Sequence, residues 1–438
     1  VSNNQGNNNT HLATQINAFK NADIADVKSS ALFCVPLKMG AGAQSKFLLH
    51  TGDLVREGTV LASPADNTSG FIYSPVSGSI ESIADGLNAL GQPCQIVRIA
   101  PAHKNTELFF KPLSDLTASN LFGRLVESGS FDNWGERYPT YFKYTSAEIR
   151  NTRTLIVKLF DSDGYCYSNA AIARTKAHEV AVGASLFYKI SGAKTLCFAV
   201  ADSAEEIIPK LREEMRASGI IENRIKFVKI SARYPFDEDH LLAKTCDGCT
   251  IKITENVWEK GVVIENAQTC LNFFNAVYLN KPATHGVVTI SGGLIKKPLT
   301  VNVPCGLPAR GLIESSLYKD AKPDGFCLGG ALSGFAQCSM DIGVPLSVSS
   351  LNVFKPNMCD NNEIDCVNCG KCNNVCPVKL SPVLLDNYAL CKDYGRAKRY
   401  GVEACINCGA CSFVCPSKRF LAQRISGVKR AIQEGRTM

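Results

Sequence analysis

The stretches 366-CVNCGKCNNVCP-377 and 405-CINCGACSFVCP-416 decide the fold of the last part of the chain. Each has four cysteines spaced C-x₂-C-x₂-C-x₃-C, with a proline directly after the fourth. In a pair of such runs, three cysteines bind the irons of one four-iron cluster and the fourth binds the other cluster. We therefore predict two 4Fe–4S clusters with crossed ligands. One cluster takes Cys366, Cys369, Cys372 and Cys415, and the other takes Cys405, Cys408, Cys411 and Cys376.

The alternative for these cysteines is a zinc ribbon. Structural zinc sites take their cysteines in pairs, whereas this chain has two quartets of the spacing given above. The 28 residues between Cys376 and Cys405 carry apolar residues at helical spacing. We therefore expect clusters held between helices in a ferredoxin-like domain over residues 351–438, with electron transfer as its function.

The composition of the chain limits the class of protein. A length of 438 residues predicts two to four domains. The net charge of +7 is small, whereas a nucleic-acid binder concentrates its positive charge on one surface. We therefore expect no nucleic-acid partner. The 20 cysteines are not spaced as in a short secreted disulfide scaffold, and cluster ligands must be free thiols, which indicates a reducing compartment.

The sequence shows no segment suited to cross or enter a membrane. No apolar run approaches the ~18–20 residues that span a bilayer. The first residues also lack the charged and apolar regions of a signal peptide. We expect a soluble chain that would need a partner to hold it at a membrane.

The first hundred residues divide into a tail and a β-domain. Residues 1–28 are rich in Asn and Gln and predict a disordered tail. Residues 29–103 alternate short strands with Gly and Pro turns, a pattern typical of the barrel-sandwich hybrid of lipoyl and biotinyl domains. Carrier domains of that kind have a modifiable lysine at a hairpin tip. The corresponding segment here, "PADNTSG" (64–70), has none, which favours a rigid β-domain.

The middle of the chain predicts an α/β domain followed by a β-rich one. In residues 104–259, the apolar runs "TLIVKLF" (154–160) and "TLCFAVA" (195–201) predict buried parallel strands, and a helix is predicted over 203–219 with Ser203 as its N-cap. In residues 260–350 we predict a strand and a helix (261–282), then a hairpin (285–304) that turns at Gly292-Gly293. The fold class is multidomain α+β.

This order of domains resembles the RnfC family, a subunit of the Rnf complex, which is a membrane oxidoreductase that couples ferredoxin and NAD to ion translocation. The resemblance runs from about Ser29 to the end. It is most specific in the cysteine runs, in "TGDLVREGTVLA" (51–62) with "SPVSGSI" (74–80), and in the segment 261–298. It implies that 104–259 is similar to the NADH- and FMN-binding subunit of complex I and that 260–350 is a soluble-ligand-binding β-grasp-like domain. It also implies a peripheral position on the cytoplasmic face of the membrane, with the other subunits and a ferredoxin-type or other redox protein as partners.

One loop departs from that family. Typical members read GLGGAGFPT and then a lysine, where this chain reads "DNWGERYPT" (132–140) and then Lys143. The family's glycines let the backbone approach flavin and nucleotide phosphates. Here Asp132 and Glu136 add negative charge, Trp134 adds bulk, and Arg137 takes the place of a glycine. The residues that still match the family's loop are Gly135, Pro139, Thr140 and Lys143.

Two further segments of the same implied site have changed. The family's NGAECEPY appears here as "KLFDSDGY" (158–165), and its YPQGGE appears as "YPFDED" (234–239). Three departures in one site predict that the NADH and FMN site is lost or rebuilt. We therefore expect no FMN in the isolated chain and weak or no oxidation of NADH.

Three further features of the sequence each allow two interpretations. The acidic side chains in the changed segments favour a solvated loop face over a cation or partner-docking surface. The pair Cys246 and Cys249 favours two structural thiols over a redox disulfide or half a metal site. The basic segment 417–436 predicts an amphipathic helix that either packs on the ferredoxin-like domain or touches anionic lipid or an acidic partner. The acidic side chains are those of Asp161, Asp163, Asp237, Glu238 and Asp239.

The sequence therefore predicts an electron-transfer subunit of an Rnf-like membrane oxidoreductase that relays electrons through two 4Fe–4S clusters. A soluble iron–sulfur flavoprotein of the cobalamin-reductase type is the alternative, because it shares the architecture. A scaffold subunit, with the α/β domain as a docking platform only, is a third hypothesis.

Overall fold

The computed structural model describes residues 23–27, 31–133, 135–146, 149, 151–231, 233–323, 325–354, 362–433 and 435. Most of the predicted tail, together with Trp134, lies outside these residues. The first strand described, β1 (Ala25–Asp26), pairs with a sheet of the third domain. No helix within these ranges is long and apolar enough to cross a bilayer.

Two small sheets pack face to face in the N-terminal β-domain. The strands are β2 (Phe33–Pro36), β3 (Lys46–Phe47), β4 (Leu54–Val55), β5 (Val60–Ser63), β6 (Ile72–Tyr73), β7 (Gly78–Leu87) and β8 (Pro93–Pro101). One sheet has the order β2-β8-β7-β4 and the other β3-β5-β6, and every pairing in them is antiparallel. Alternate residues such as Phe33, Val35 and Val97 point inward and are buried, as the period of a half-buried strand requires.

A four-stranded parallel sheet forms the centre of the α/β domain. Its strands are β9 (Thr154–Lys158), β10 (Thr195–Ala201), β11 (Ile225–Ile230) and β12 (Val262–Asn266). Their order is β11-β10-β9-β12. Both predicted strands are confirmed, and β9 is buried along its whole length. The helices are α1 (Ala118–Glu127), α2 (Ser168–Thr175), α3 (Ala177–Ser191), α4 (Ile207–Arg216), α5 (Asp239–Cys246) and α6 (Ala267–Tyr278).

Two details of this domain differ from the sequence prediction. Strand β12 pairs with β9, and Phe273 of α6 lies in the same apolar core as Phe187 of α3, so the α/β layer extends past the boundary at residue 259. The predicted N-cap at Ser203 is wrong. A 3₁₀ turn (Asp202–Ala204) comes first, and α4 begins at Ile207 without a side-chain cap.

The next domain is built on a six-stranded mixed sheet. Its further elements are β13 (His285–Gly292), β14 (Leu299–Pro304), β15 (Leu307–Pro308), α7 (Ala309–Ser316), β16 (Phe326–Leu328), β17 (Phe335–Gln337), β18 (Gly343–Val344) and β19 (Ser350–Val353). The sheet has the order β1-β14-β13-β19-β16-β17, and a two-stranded sheet, β15-β18, lies beside it. The predicted hairpin is confirmed, because β13 and β14 pair antiparallel from His285↔Pro304 to Ile290↔Leu299.

The C-terminal domain is helical, as predicted for the residues between the cysteine runs. The helices are α8 (Lys371–Val375), α9 (Pro382–Leu390), α10 (Tyr394–Arg399), α11 (Ala410–Phe413) and α12 (Leu421–Gln433). Leu385, Ala397, Val402 and Ile425 form part of its small apolar core.

Candidate functional site

The eight cysteines of the two runs line two separate cavities. The cavities contain about 400 Å³ and 550 Å³ of space, part of it open to solvent. The first, called here the inner cavity, is lined by Cys376, Cys405, Cys408 and Cys411. The second, the outer cavity, is lined by Cys366, Cys369, Cys372 and Cys415. Each cavity thus combines three cysteines of one run with the fourth of the other, which supports the crossed assignment without testing the ligands themselves.

Local backbone conformation gathers the three close cysteines of each run. In the first run Asn368 and Gly370 have φ of 51° and 70°, and in the second Asn407 and Gly409 have 54° and 74°. Two left-handed residues among three curl the chain so that thiols two residues apart face the same space. The short helices α8 and α11 then begin, and each carries its run's fourth cysteine toward the other cavity.

The side chains and backbone around the cavities fit an iron–sulfur cluster. The inner cavity is lined between its cysteines by apolar side chains, among them Leu380, Ile406 and Ile425. The backbone N–H of Leu380 donates to Cys376 Sγ at 3.3 Å, and that of Asn407 donates to Cys405 Sγ at 3.4 Å. Thiolate ligands with N–H donors in an apolar surround are what such clusters use to set their potential.

Two thiols of the inner cavity have raised pKa values. Burial raises the pKa of Cys408 to about 11 and that of Cys411 to about 12. A bound metal deprotonates its thiol ligands, so iron would have to displace these protons. Within the described ranges, no group of three or more Cys, His, Asp or Glu side chains converges as the ligands of one metal ion.

The carboxyl edge of the parallel sheet is the place where open α/β sheets bind ligands. Here a buried ion network lies at that edge. Lys143 Nζ is 2.9 Å from Glu265 Oε1 and 3.1 Å from Asp132 Oδ2, and it donates to the carbonyl of Ile264 at 2.8 Å. Tyr144 also donates to Glu265 Oε1, at 2.9 Å. The chain's own carboxylates therefore neutralise Lys143, the lysine that matches the family's loop.

The network also shifts the pKa values of its members. Burial alone would lower the pKa of Lys143, but the carboxylates of Asp132 and Glu265 raise it. Burial raises the pKa of Glu265 to about 7, and Lys143 opposes that rise. Glu265 Oε2 has no hydrogen-bond partner among the described residues. One lysine thus pairs with two carboxylates, and its attraction opposes the effect of burial on Glu265.

Backbone hydrogen bonds hold the described residues of the loop 132–140 in place. The backbone N–H of Asp132 donates to the carbonyl of Tyr138, and that of Ala41 in the β-domain donates to the carbonyl of Glu136, both at 2.9 Å. Arg137 keeps the positive φ of a glycine position, 55°, although its side chain is buried. Its guanidinium stacks 5.4 Å from the centre of the Phe335 ring, and burial lowers its pKa to about 10.

The acidic side chains of the two changed segments do not form a solvated face, so that prediction is wrong. Asp163, Asp237 and Glu238 are buried, and Asp161 and Asp239 are half-buried. The three buried ones serve as internal hydrogen-bond acceptors. Asp163 accepts from the N–H groups of Leu332 and Ser333, Asp237 from Ser162, and Glu238 from the first N–H groups of α5. Burial raises the pKa of Asp163 and of Asp239 to about 6.

Two cationic side chains of the basic C-terminal helix bind groups within its own domain. Arg424 pairs with Glu363 and Asp386, and Lys429 donates to the carbonyl of Cys405 at 2.7 Å. The preceding Arg419 also pairs with Asp386. These contacts favour the packing interpretation of this segment over a lipid-binding one.

The C-x-x-C pair lies at the C-terminal end of α5. Cys246 is buried and Cys249 half-buried, and both pack in an apolar cluster with Cys197. A hydrogen bond to Cys246 raises the pKa of Cys197. The interpretation as structural thiols stays a prediction.

Three protein-family models match the chain in order. The RnfC barrel sandwich hybrid domain matches residues 7–104, the Nuo51 FMN-binding domain matches 127–275, and the 4Fe-4S dicluster domain matches 358–417. The predicted order of a barrel-sandwich domain, a complex I-like α/β domain and a two-cluster domain is thereby confirmed. The β-grasp description of residues 260–350 is not tested by these matches and stays a prediction.

Curated relatives of the RnfC type resemble the chain over most of its length. The RnfC protein of the proton-translocating ferredoxin:NAD(+) oxidoreductase complex of Clostridium ljungdahlii is 25% identical over 80% of this chain and 77% of its own. Its counterpart in the ion-translocating oxidoreductase complex of Rhodobacter capsulatus is 24% identical over 90% of this chain and 76% of its own. The Pseudomonas aeruginosa counterpart is 26% identical over 82% of this chain, which spans about half of that protein (46%).

Two solved structures of NAD+-reducing [NiFe]-hydrogenase also align with the chain. The air-oxidized form has a TM-score of 0.46 at 12% identity, covering 66% of this chain and 54% of its own. The H2-reduced form has a TM-score of 0.47 at 11% identity, covering 74% and 60%. Because both scores lie below 0.5, no conclusion about function rests on them.

Proposed function

We propose that this chain, a relative of the RnfC proteins of the ion-translocating oxidoreductase complexes, is an electron-transfer subunit of such a complex. The observation that carries the proposal is the pair of cavities, each lined by four cysteines drawn from both runs. The comparisons do not favour the soluble cobalamin-reductase-type alternative. The two proposed 4Fe–4S clusters, when bound, supply one-electron carriers held close together.

The residues of the chain contribute position and environment. Each crossed fourth cysteine, Cys376 or Cys415, ties the two metal sites into one rigid unit. Apolar neighbours such as Ile406 and Ile425 limit water near the inner site. Exclusion of water and N–H donors to sulfur are the means by which a protein tunes the potential of such a carrier.

The test is metal and sulfide analysis of the anaerobically purified chain. We expect about eight irons and eight sulfides per chain, from two four-iron clusters. Zinc in place of iron, or only four irons, would contradict the proposal. Replacement of Cys372 by Ser should damage one cluster, whereas Cys391→Ser, at an exposed cysteine outside the runs, is the matched control.

We further propose that the carboxyl edge of the parallel sheet no longer binds FMN or NADH. The match to an FMN-binding domain describes the ancestry of residues 127–275 and leaves occupancy open. The support for loss is the ion network, because a phosphate would have to compete with Asp132 and Glu265 for Lys143. An anion bound beside these two carboxylates, of which Glu265 is buried and Asp132 half-buried, is costly because the lysine is already paired with both.

Flavin analysis and titration with NADH test this second proposal. We expect no stoichiometric FMN and no binding of NADH in the micromolar range. The double variant Asp132→Gly with Glu265→Gln frees Lys143 and should bind FMN more tightly than the unaltered chain. Stoichiometric FMN in the unaltered chain would overturn the proposal.

The proposed location is the cytoplasmic face of the membrane, as a peripheral subunit held by the other subunits of the complex. The relatives belong to complexes that translocate ions, which supports a membrane position. An apolar protein interface resists salt, whereas contacts between exposed charges are screened at 0.1 M salt beyond ~10 Å. We therefore expect the chain to stay with native membranes in a high-salt wash. Full release by moderate salt would contradict this location.

A further inference from the structure

The two cysteine runs have different neighbours outside their own domain. In the second run, the Tyr234 hydroxyl donates to the carbonyl of Cys408 at 2.6 Å. A Cβ on the next residue, Gly409, would lie 3.1 Å from the carbonyl oxygen of Leu332. A Cβ on Gly370, which has the same place in the first run, would meet no described atom within 4 Å. The turn at Cys408 and Gly409 is therefore held from outside its domain, whereas the described residues show no such approach at Gly370.

Buried polar groups at the carboxyl edge of the parallel sheet hold both of these neighbours in place. The carboxylate of Asp163 accepts from the N–H of Leu332 at 3.1 Å. Asp237, three residues after Tyr234, accepts from the N–H of Ser162 at 3.1 Å. Both carboxylates are buried, so water competes little for these hydrogen bonds. The two segments that depart from the family's NADH and FMN site thus reach the inner site through Tyr234 and Leu332.

The Tyr234 hydroxyl changes the charge that surrounds the inner site. The oxygen of a backbone carbonyl is the negative end of its dipole, and an O–H donor partly cancels that negative charge. An added electron makes a four-iron cluster more negative, and nearby hydrogen bonds are among the features that set its potential. The inner cavity is largely apolar between its cysteines, and a hydrogen bond acts more strongly there than in water. The hydroxyl should therefore favour the reduced form.

We propose that Tyr234 is a positioning residue of the inner site, which fixes the turn at Cys408 and Gly409 and raises the reduction potential of that site; this rests on the function proposed above. The hydroxyl supplies the donor on one side of the turn, and Leu332 closes the other side. The outer site keeps the potential that its own run and surroundings give it. The changed segments of the α/β domain thereby support the inner site instead of a nucleotide.

The experiment is a redox titration of the anaerobically purified chain with its clusters, followed by EPR. The principal variant is Tyr234→Phe, which keeps the ring and removes the hydroxyl. Tyr141→Phe is the matched control, because Tyr141 is buried and its hydroxyl also donates to a backbone carbonyl, that of Ser69, at 2.8 Å. The EPR signal that Cys372→Ser removes identifies the outer site. Iron is counted in every variant.

We expect Tyr234→Phe to lower the ratio of reduced to oxidised inner site, at a fixed applied potential, by about three- to tenfold, the worth of one hydrogen bond. A tenfold change corresponds to about 59 mV for one electron. The outer site, and both sites of Tyr141→Phe, should keep their potentials. Loss of iron from the inner site in Tyr234→Phe alone would also support the positioning role.

An unchanged or raised potential of the inner site in Tyr234→Phe would contradict the proposal. So would an equal shift at both sites or in the control, because the hydroxyl would then act on stability in general. An unaltered chain that lacks the two clusters would instead refute the proposed function.

A second pair of variants tests the contact with Leu332. Gly409→Ala and Gly370→Ala introduce the same backbone strain at the same place in each run, since the two glycines have φ of 74° and 70°. Only the first also pushes a side chain against a neighbouring carbonyl. We compare the rate at which a chelator removes iron from each site with the rate for that site in the unaltered chain. The rise should be several-fold larger for the inner site of Gly409→Ala than for the outer site of Gly370→Ala, and equal rises would disprove the role of Leu332.

Discussion

Asp386 offers the sharpest test of how the cluster domain is held together. It lies on α9 with no exposed surface, and its carboxylate accepts from Arg419 Nε at 2.8 Å and from Arg424 Nη1 at 3.1 Å. Glu363, just before the first cysteine run, pairs with Arg424 as well. Asp386 therefore links the entry to the first run, the helix between the runs and α12. The perturbation is Asp386→Asn, which keeps the shape and removes the charge.

The magnitude follows from the burial of the pair. Breaking a buried ion pair from one side leaves the other charge without compensation and costs about 3–5 kcal/mol. Arg419 is itself buried, so water cannot fully replace the lost carboxylate. In a domain of 60–100 residues, 1 kcal/mol moves the unfolding midpoint by roughly 4–8 °C. We therefore expect the midpoint of the unfolding transition of the cluster domain to fall by roughly 12–40 °C.

Thermal unfolding followed by the visible absorbance of the clusters measures this effect, together with the rate of iron loss to a chelator. Asp393→Asn is the matched control, since Asp393 is half-buried and pairs with the exposed Arg396. Exposed pairs contribute about 0–1 kcal/mol, and Asn caps a helix as well as Asp does. Equal losses in the two variants would refute the reasoning that burial makes Asp386 important.

Three further predictions concern single side chains. Cys376→Ser should disturb the spectrum of the cluster held by the second run and spare the other, and the reverse result in Mössbauer or EPR spectra would disprove the crossed ligands. Lys143→Met should lower the free energy of unfolding by about 3–5 kcal/mol at pH 8, and by less at pH 6 because Glu265 then binds a proton; urea titration at both pH values measures it. Asp163 has a pKa of about 6 in the folded chain against 3.8, so its contribution is full below pH 4 and is lost as pH rises through 6. Asp163→Asn should remove this loss of stability with pH, which amounts to about 2–3 kcal/mol of the free energy of unfolding. An unchanged dependence of the free energy of unfolding on pH in the variant would contradict this.

Features set by local sequence were predictable. The cysteine spacing alone groups three thiols of each run, because left-handed turns at Asn368 and Asn407 act over a few residues. The buried strands β9 and β10 were recognisable as apolar runs, since a strand covered on both faces needs no polar alternation. The hairpin β13–β14 followed from two apolar segments around a glycine pair.

Features set by distant contacts were not predictable. Asp163 has the sequence context of a loop residue, and its burial depends on N–H groups at residues 332 and 333, about 170 positions along the chain. The cations of α12 resemble a lipid-binding stripe until Asp386 and Glu363 are brought beside them. The predicted end of the α/β domain at residue 259 left out β12, because a change in composition does not show that Val262 pairs with Thr154.

The changed loop supplies the charges on which the proposed loss of the FMN site rests. Lys143 is buried at the carboxyl edge of the sheet, and a buried lysine without a counter-ion would destabilise the domain. Asp132 occupies a glycine position of the family's loop, so one replacement both fills space near the backbone and supplies a negative charge 3.1 Å from that lysine. Glu265, near the end of β12, supplies the second. In the proposed loss of the FMN site, this network takes over the electrostatic role that a bound phosphate would have.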